Sequence, residues 1–371
     1  MTAKAAELRA KNIDVINLSV GEPDFPTPKH IRDAGIFGIE NGHTRYTAGS
    51  GTTELKQAII HKLSRDNNLN YNQNEIMVSC GGKHALYNAC QVLFQKGDEV
   101  IIFSPYWVSF PDFVSVTGAQ PIFVATDPNN QFEPIFSDLE SKITNKTKGI
   151  IINSPSNPTG GVWSDEAIKR TLEIATNNNL WIFSDECYEQ LTYDIKFNST
   201  AKFSDNKKII TFQSCSKTYA MTGWRIGYTA GHKDLIQTMS KLQSQSTSCP
   251  TSISQFAAIE ALTGPQHFIE EMRSEFKKRR NYFVDALNSI PGVECKLPGG
   301  AFYVYPNIKE LMEIYSYDTP SDFSLDLLNN EAIVSVSGES FGSNDAIRFS
   351  YATSMDDLKN AITKIKNFLK I

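Results

Sequence analysis

Five times along this chain a short apolar run, rich in β-branched residues, stops at a polar or glycine-bearing turn: residues 75–80, 99–103, 149–152, 181–188 and 209–212. Runs of that length, bounded by turns, read as buried strands. Helical patterns over residues 83–94 and 165–176 separate them. Strands alternating with helices form a parallel sheet, and such sheets bind ligands beyond the carboxyl ends of their strands. Gly82, Asn157, Asp185 and Ser214 all stand just past such ends. At 371 residues the chain can bury a large core and is expected to form two domains.

Composition excludes several classes. A formal net charge of −5 gives no basic footprint for nucleic acid or an anionic membrane. No apolar run approaches membrane-spanning length, and the N-terminus does not read as a signal peptide. Six cysteines contain no C-x-x-C pair, and six histidines show no H-E-x-x-H spacing. Neither a metal site nor a disulfide framework is suggested, so a reduced, cytoplasmic protein is expected.

The densest chemistry follows the strand at 209–212. Ser214, Ser216, Lys217 and Arg225 lie within twelve positions, with Gly223 and Gly227 around the arginine. Two short hydroxyls and a planar guanidinium suit a dianionic phosphate. A lysine held beside them, its pKa depressed by burial and neighbouring cations, offers a free amine that condenses with an aldehyde. An aldehyde that carries a phosphate is pyridoxal 5′-phosphate. Read alone, a Ser-x-Ser-Lys would be a solvated loop; Arg225 and the glycines complete a longer pattern. The turn Gly81-Gly82 before the helical pattern at 83–94 would offer free backbone N–H groups to the same phosphate.

The run from Ser214 to Gly227 resembles the cofactor-attachment signature of class I aminotransferases, the aspartate aminotransferase family. Similar segments occur in the family's order along essentially the whole chain: Gly21-Glu22-Pro23-Asp24-Phe25, the Asn153 to Gly160 run (N-x-P-x-N-P-T-G), and Arg348 in R-x-S-Y-A. The resemblance implies a fold-type I pyridoxal-phosphate-dependent transferase: an α/β fold with a mostly parallel central sheet flanked by helices, plus a smaller α+β domain. It implies a large domain over residues 27–283 and a small one built from residues 1–26 and 284–371.

It also implies roles. Lys217 carries the cofactor and moves the proton. Gly82, Lys83, Ser214, Ser216 and Arg225 surround the phosphate. Trp107 stacks on the cofactor ring, Asp185 faces its nitrogen, and Asn157 and Tyr188 address its phenolic oxygen. Arg348 grips the substrate α-carboxylate, and the backbone of Gly21 lies against the substrate. Tyr46 reaches the phosphate of a neighbouring subunit, which makes a homodimer with shared sites. Relatives carry a further N-terminal segment that packs on the partner subunit; this chain starts within the helix expected over residues 2–10. Lys83 stands where many relatives have Ser or Thr, and could pair with the distal carboxylate of a dicarboxylic substrate.

The expected reaction is ping-pong transamination of L-aspartate with 2-oxoglutarate. Prephenate, aromatic amino acids or alanine are the alternative substrates, and a C–S lyase on the same fold is the alternative reaction. A non-catalytic regulator would need a DNA-binding domain before this fold. The basic run Lys277 to Arg280 circles a helical pattern over 268–287 and reads as a solvated face.

Overall fold

The computed structural model describes residues 14–371, so the helix expected over residues 2–10 lies outside the described residues. The chain enters with β1 (Ile16–Asn17) and then builds an eight-stranded sheet. Its strands are β2 (Ile76–Ser79), β3 (Glu99–Ser104), β4 (Gln120–Asp127), β5 (Glu133–Pro134), β6 (Thr147–Asn153), β7 (Trp181–Asp185), β8 (Ile209–Ser214) and β9 (Gly227–Ala230). They lie side by side in the order β2-β9-β8-β7-β6-β3-β4-β5. The neighbours from β8 through β7, β6 and β3 to β4 run parallel. β9 runs antiparallel to both β2 and β8, and β5 antiparallel to β4.

The inner strands are apolar on consecutive residues because helices cover both faces. Ile150, Ile152 and Ile182 pack on one side with Leu172 and Leu180. Ile151, Phe183, Ile210 and Phe212 pack on the other with Ala85, Leu86 and Met239. The Asp165–Asn177 helix begins where Ser164 accepts the N–H of Ala167, with Asp165 and Glu166 in its first turn.

A second structure gathers chain from both ends. β10 (Tyr303–Val304), β11 (Ile333–Val334), β12 (Val336–Ser337) and β13 (Ile347–Ser350) are short. β11 runs parallel to β1, while β10 and β12 flank β13 antiparallel. The long His267–Asn288 helix and the Met355–Leu369 helix cover them, burying Phe276, Phe283, Phe302, Phe349 and Leu358.

Three expectations change. The strand expected over 181–188 stops at Asp185, where the chain turns so that Glu186 and Tyr188 lie off the ladder. Residues 14–20 also read as a short strand from the sequence, and the ladder forms only at Ile16–Asn17. The basic run on the long helix is not a solvated face throughout. Arg279 and Arg280 are 7% and 2% exposed. Arg279 pairs with Asp24 at 2.8 Å, and Arg280 bonds Asp194 at 2.7 Å and the Pro298 carbonyl at 2.9 Å. Four consecutive positions span all faces of a helix, so two of them had to face inward, and acceptors there meet them.

Candidate active site

β2, β6, β7 and β8 end at one edge of the large sheet, and there the chain encloses a cavity of about 380 Å³. Lys217 sits in the single-turn helix Cys215–Thr218 that follows β8. Ser214 begins that turn: its Oγ accepts the N–H of Ser216 at 3.1 Å and lies 2.8 Å from Ser216 Oγ. Lys217 Nζ donates to the Gly21 carbonyl. Burial lowers the Lys217 pKa to about 8; Cys187 and Glu22 oppose the shift, and Arg225 and Arg348 add to it. An amine of that pKa is substantially neutral in mildly alkaline solution, as a nucleophile or proton carrier must be.

The corner beside the serines is built by close approach. Gly81 has φ 89°, and a Cβ there would stand 2.5 Å from Arg225 Nη2. A Cβ at Gly227 would stand 2.3 Å from the Gly82 nitrogen. Only glycine permits this packing. The start of the Gly82–Leu93 helix, the two serine hydroxyls and the Arg225 guanidinium therefore converge, forming an anion cradle.

Across the cavity Asp185 is 4% exposed, and its Oδ1 accepts the N–H of Cys187 at 3.2 Å. Burial raises its pKa to about 6, against the bond from Cys187 and the charge of Lys217. Trp107 lines the cavity wall. The Lys83 ammonium lies 4.9 Å from its ring centroid, and Phe110 and Phe113 meet the ring edge-on.

Arg348, a lone strand arginine that would ordinarily face solvent, is 7% exposed. It donates to Asn157 Oδ1 at 2.8 Å and to the Ser19 carbonyl at 2.7 Å. Its guanidinium lies 4.5 Å from the ring centroid of Tyr303 and 5.0 Å from that of Phe341. Its Nε, buried, has no partner among the described residues. Tyr188 OH lies 2.9 Å from Tyr303 OH, and burial pushes the Tyr188 phenol up.

The fold thus brings twelve of the thirteen expected residues to one cavity. Tyr46 is the thirteenth; it is 89% exposed and does not line it. Tyr303, Phe341, Asn153 and Cys187 also line it and were not singled out from the sequence. Asn153 was within reach, because it opens the Asn-Pro run. Tyr303 and Phe341 look like ordinary core aromatics, and nothing in their spacing marks them.

These residues fit pyridoxal 5′-phosphate. The cradle suits its phosphate, Trp107 offers an aromatic face to its ring, Asp185 is a buried acid for its nitrogen, and Lys217 is the amine for its aldehyde. The unpartnered Arg348 Nε leaves donor capacity for a carboxylate. Among the described residues no group of His, Cys, Asp and Glu is arranged to hold a metal, and no helix is long and apolar enough to cross a membrane.

Comparison with known proteins gives the family and the fold. Residues 13–365 match the family described as aminotransferase class I and II. An aspartate aminotransferase of Bacillus subtilis is 46% identical over 100% of this chain and 95% of its own length. A probable aspartate/prephenate aminotransferase of Rhizobium leguminosarum is 43% identical over 99% and 94%. The crystal structure of the aspartate aminotransferase from Rhizobium meliloti superposes with a TM-score of 0.94 at 40% identity, covering 98% of this chain and 93% of that one.

Proposed function

The chain belongs to the class I and II aminotransferase family, and we propose that it transfers the amino group of L-aspartate to 2-oxoglutarate, giving oxaloacetate and L-glutamate. The observation that carries the reading is the single cavity that joins an amine of lowered pKa, an anion cradle, a buried acid and a buried arginine. Pyridoxal 5′-phosphate, when bound, supplies an aldehyde for the amino group and a ring that accepts electron density from the substrate Cα.

The chain's own residues do the rest. The backbone N–H groups of Gly82 and Lys83, with Ser214, Ser216 and Arg225, hold the phosphate, and Trp107 covers the ring. Asp185, ionised above about pH 6, presents its charge to the ring nitrogen. Asn157 and Tyr188 offer hydrogen bonds to the phenolic oxygen. Arg348 takes the α-carboxylate of every substrate as a bidentate pair, and the Gly21 backbone lies alongside. Lys217 Nζ removes the proton from Cα and then returns it as an acid. Lys83, at the rim beside Trp107, meets the distal carboxylate.

In this reading the enzyme is a cytoplasmic homodimer, with residues 27–283 as the large domain and residues 1–26 and 284–371 as the small one. Ile36, Phe37 and Ile39 on the Lys29–Glu40 helix are 52–55% exposed, close in sequence to the almost fully exposed Tyr46. Such a surface supports a second copy docking there, with Tyr46 reaching that copy's phosphate.

The test is a coupled assay of the purified protein with pyridoxal 5′-phosphate, 2-oxoglutarate and each amino donor in turn. Oxaloacetate formed from aspartate at a kcat/KM well above that for alanine, tyrosine or formation of prephenate's amino product supports the reading. Ammonia and pyruvate released from a sulfur amino acid would replace it with the lyase reaction.

A further inference from the structure

Behind the pocket, between β7, β8 and the Thr53–Asn67 helix, lies a polar cluster that takes no part in the chemistry above. Lys62 and Gln213 are each 1% exposed, as is Glu186, and Glu189 is 7% exposed. Gln213 is its centre. Its amide nitrogen donates to Glu186 Oε2 and Glu189 Oε2, both at 3.1 Å. Its carbonyl oxygen accepts from Lys62 Nζ at 2.8 Å and from Tyr228 OH at 2.9 Å. Lys62 also donates to Glu189 Oε1 and, at 2.9 Å, to Asn67 Oδ1. Glu186 Oε1 receives Ser184 Oγ, Ser199 Oγ and the Thr200 N–H at 2.8–3.1 Å.

A buried charged set of this kind is seldom more stable than well-packed apolar side chains of the same volume, so stability is a weak reason for it. Its placement gives a better one. Glu186 follows Asp185, Glu189 follows Tyr188, and Gln213 precedes Ser214. Neighbouring residues at a strand end point to opposite faces. In β8, therefore, Ser214 faces the pocket and Gln213 the cluster; in the turn after β7, Asp185 and Tyr188 line the pocket while Glu186 and Glu189 bond the cluster. The paired register of β7 and β8 ends at Asp185 and Phe212, with one more backbone bond from Glu186 N to the Phe212 carbonyl at 2.9 Å. Beyond it the two strand ends separate, and the Gln213 side chain joins them.

We propose that the Gln213–Glu186–Glu189–Lys62 network is a positioning device that clamps the ends of β7 and β8 and so sets Asp185, Tyr188 and Ser214 against the cofactor. The inference rests on the pyridoxal-phosphate reading above. Gln213 and its partners are positioning residues; none of them touches the reacting atoms.

The test compares wild type with Gln213→Leu, which removes the shared donor and keeps most of the volume. Three quantities are read: the dissociation constant for pyridoxal 5′-phosphate from tryptophan fluorescence, the visible circular dichroism of the bound cofactor, and the melting temperature of the cofactor-free protein. The clamp predicts cofactor binding weakened roughly 10-fold or more, the low end of what losing an outer hydrogen-bonding partner costs a metal site, and an altered dichroic amplitude. Cofactor affinity and dichroism matching wild type would overturn it, whatever the melting temperature does. If Gln213→Leu does not fold, Ser199→Ala, which removes one of the donors to Glu186, is read by the same two cofactor signals. An effect on both supports the clamp, and no effect on either overturns it. A wild-type protein that took up no pyridoxal 5′-phosphate would remove the cofactor reading itself; normal uptake by wild type and variants alike would remove this inference alone.

Discussion

Arg348 Nη1 reaches Asn157 Oδ1 across 2.8 Å, and this bond ties β13 of the small sheet to the turn after β6 of the large one. The guanidinium also lies between Tyr303 and Phe341, so it is aimed before any substrate arrives. Arg348→Lys keeps the charge but loses the planar fork. Its kcat/KM for aspartate should fall about 10²–10³-fold, mainly through KM, since a desolvated charge-assisted pair is lost. Steady-state kinetics with aspartate and alanine check this; both donors should suffer alike, because both carry the α-carboxylate.

Asp185 gives a pH prediction with a definite sign. Its ordinary pKa is 3.8, and burial in the folded chain raises it to about 6. Between those values the folded chain holds a proton that the unfolded chain has released, so its contribution to stability declines as pH rises through that window. The cofactor-free Asp185→Asn protein should therefore gain in urea midpoint over wild type, and gain more at pH 7.5 than at pH 5. Its activity should fall about 10²–10³-fold, as when a charge-stabilising group is removed. Urea melts of both proteins at the two pH values, with one assay, read both effects.

Lys217 carries the opposite linkage. Burial lowers it from an ordinary 10.5 to about 8, so between those values the unfolded chain binds the extra proton and the folded state gains stability as pH rises. Lys217→Ala should reduce turnover by at least about 10³-fold. Borohydride treatment should leave cofactor mass on the wild-type chain and none on the variant, as intact mass spectrometry would show.

The large sheet was legible because its inner strands are buried on both faces and therefore read as continuous apolar runs, as Gly149 to Ile152 do. Lys217, Arg225 and Asp185 were legible because turn chemistry forces polar residues into a recognisable order at strand ends. The short strands β10 to β13 also read as apolar stretches, but two to four residues carry little periodicity, so tertiary contacts set their bounds. Tyr303 and Phe341 were missed because an aromatic that sandwiches an arginine looks like one that packs on leucine. Arg279 and Arg280 were misread because their acceptors, Asp24, Asp194 and the Pro298 carbonyl, come from distant segments.

Lys83 should set substrate choice. Its ammonium lies over Trp107 at the cavity rim with no carboxylate within ion-pair distance among the described residues. Lys83→Ala should lower kcat/KM for aspartate about 10–100-fold, the worth of one charge-assisted bond, and leave alanine within a few-fold. Equal losses for both donors would assign Lys83 to the phosphate alone.

The most direct measurement is a single half-reaction. The purified protein, saturated with pyridoxal 5′-phosphate and freed of excess, is mixed with L-aspartate and no oxo acid, and its absorption spectrum is followed while oxaloacetate is counted. The account predicts loss of the yellow band and one oxaloacetate per chain, followed by return of the band when 2-oxoglutarate is added. A band that aspartate leaves unchanged while another amino acid bleaches it, or a folded protein that never turns yellow, would contradict it.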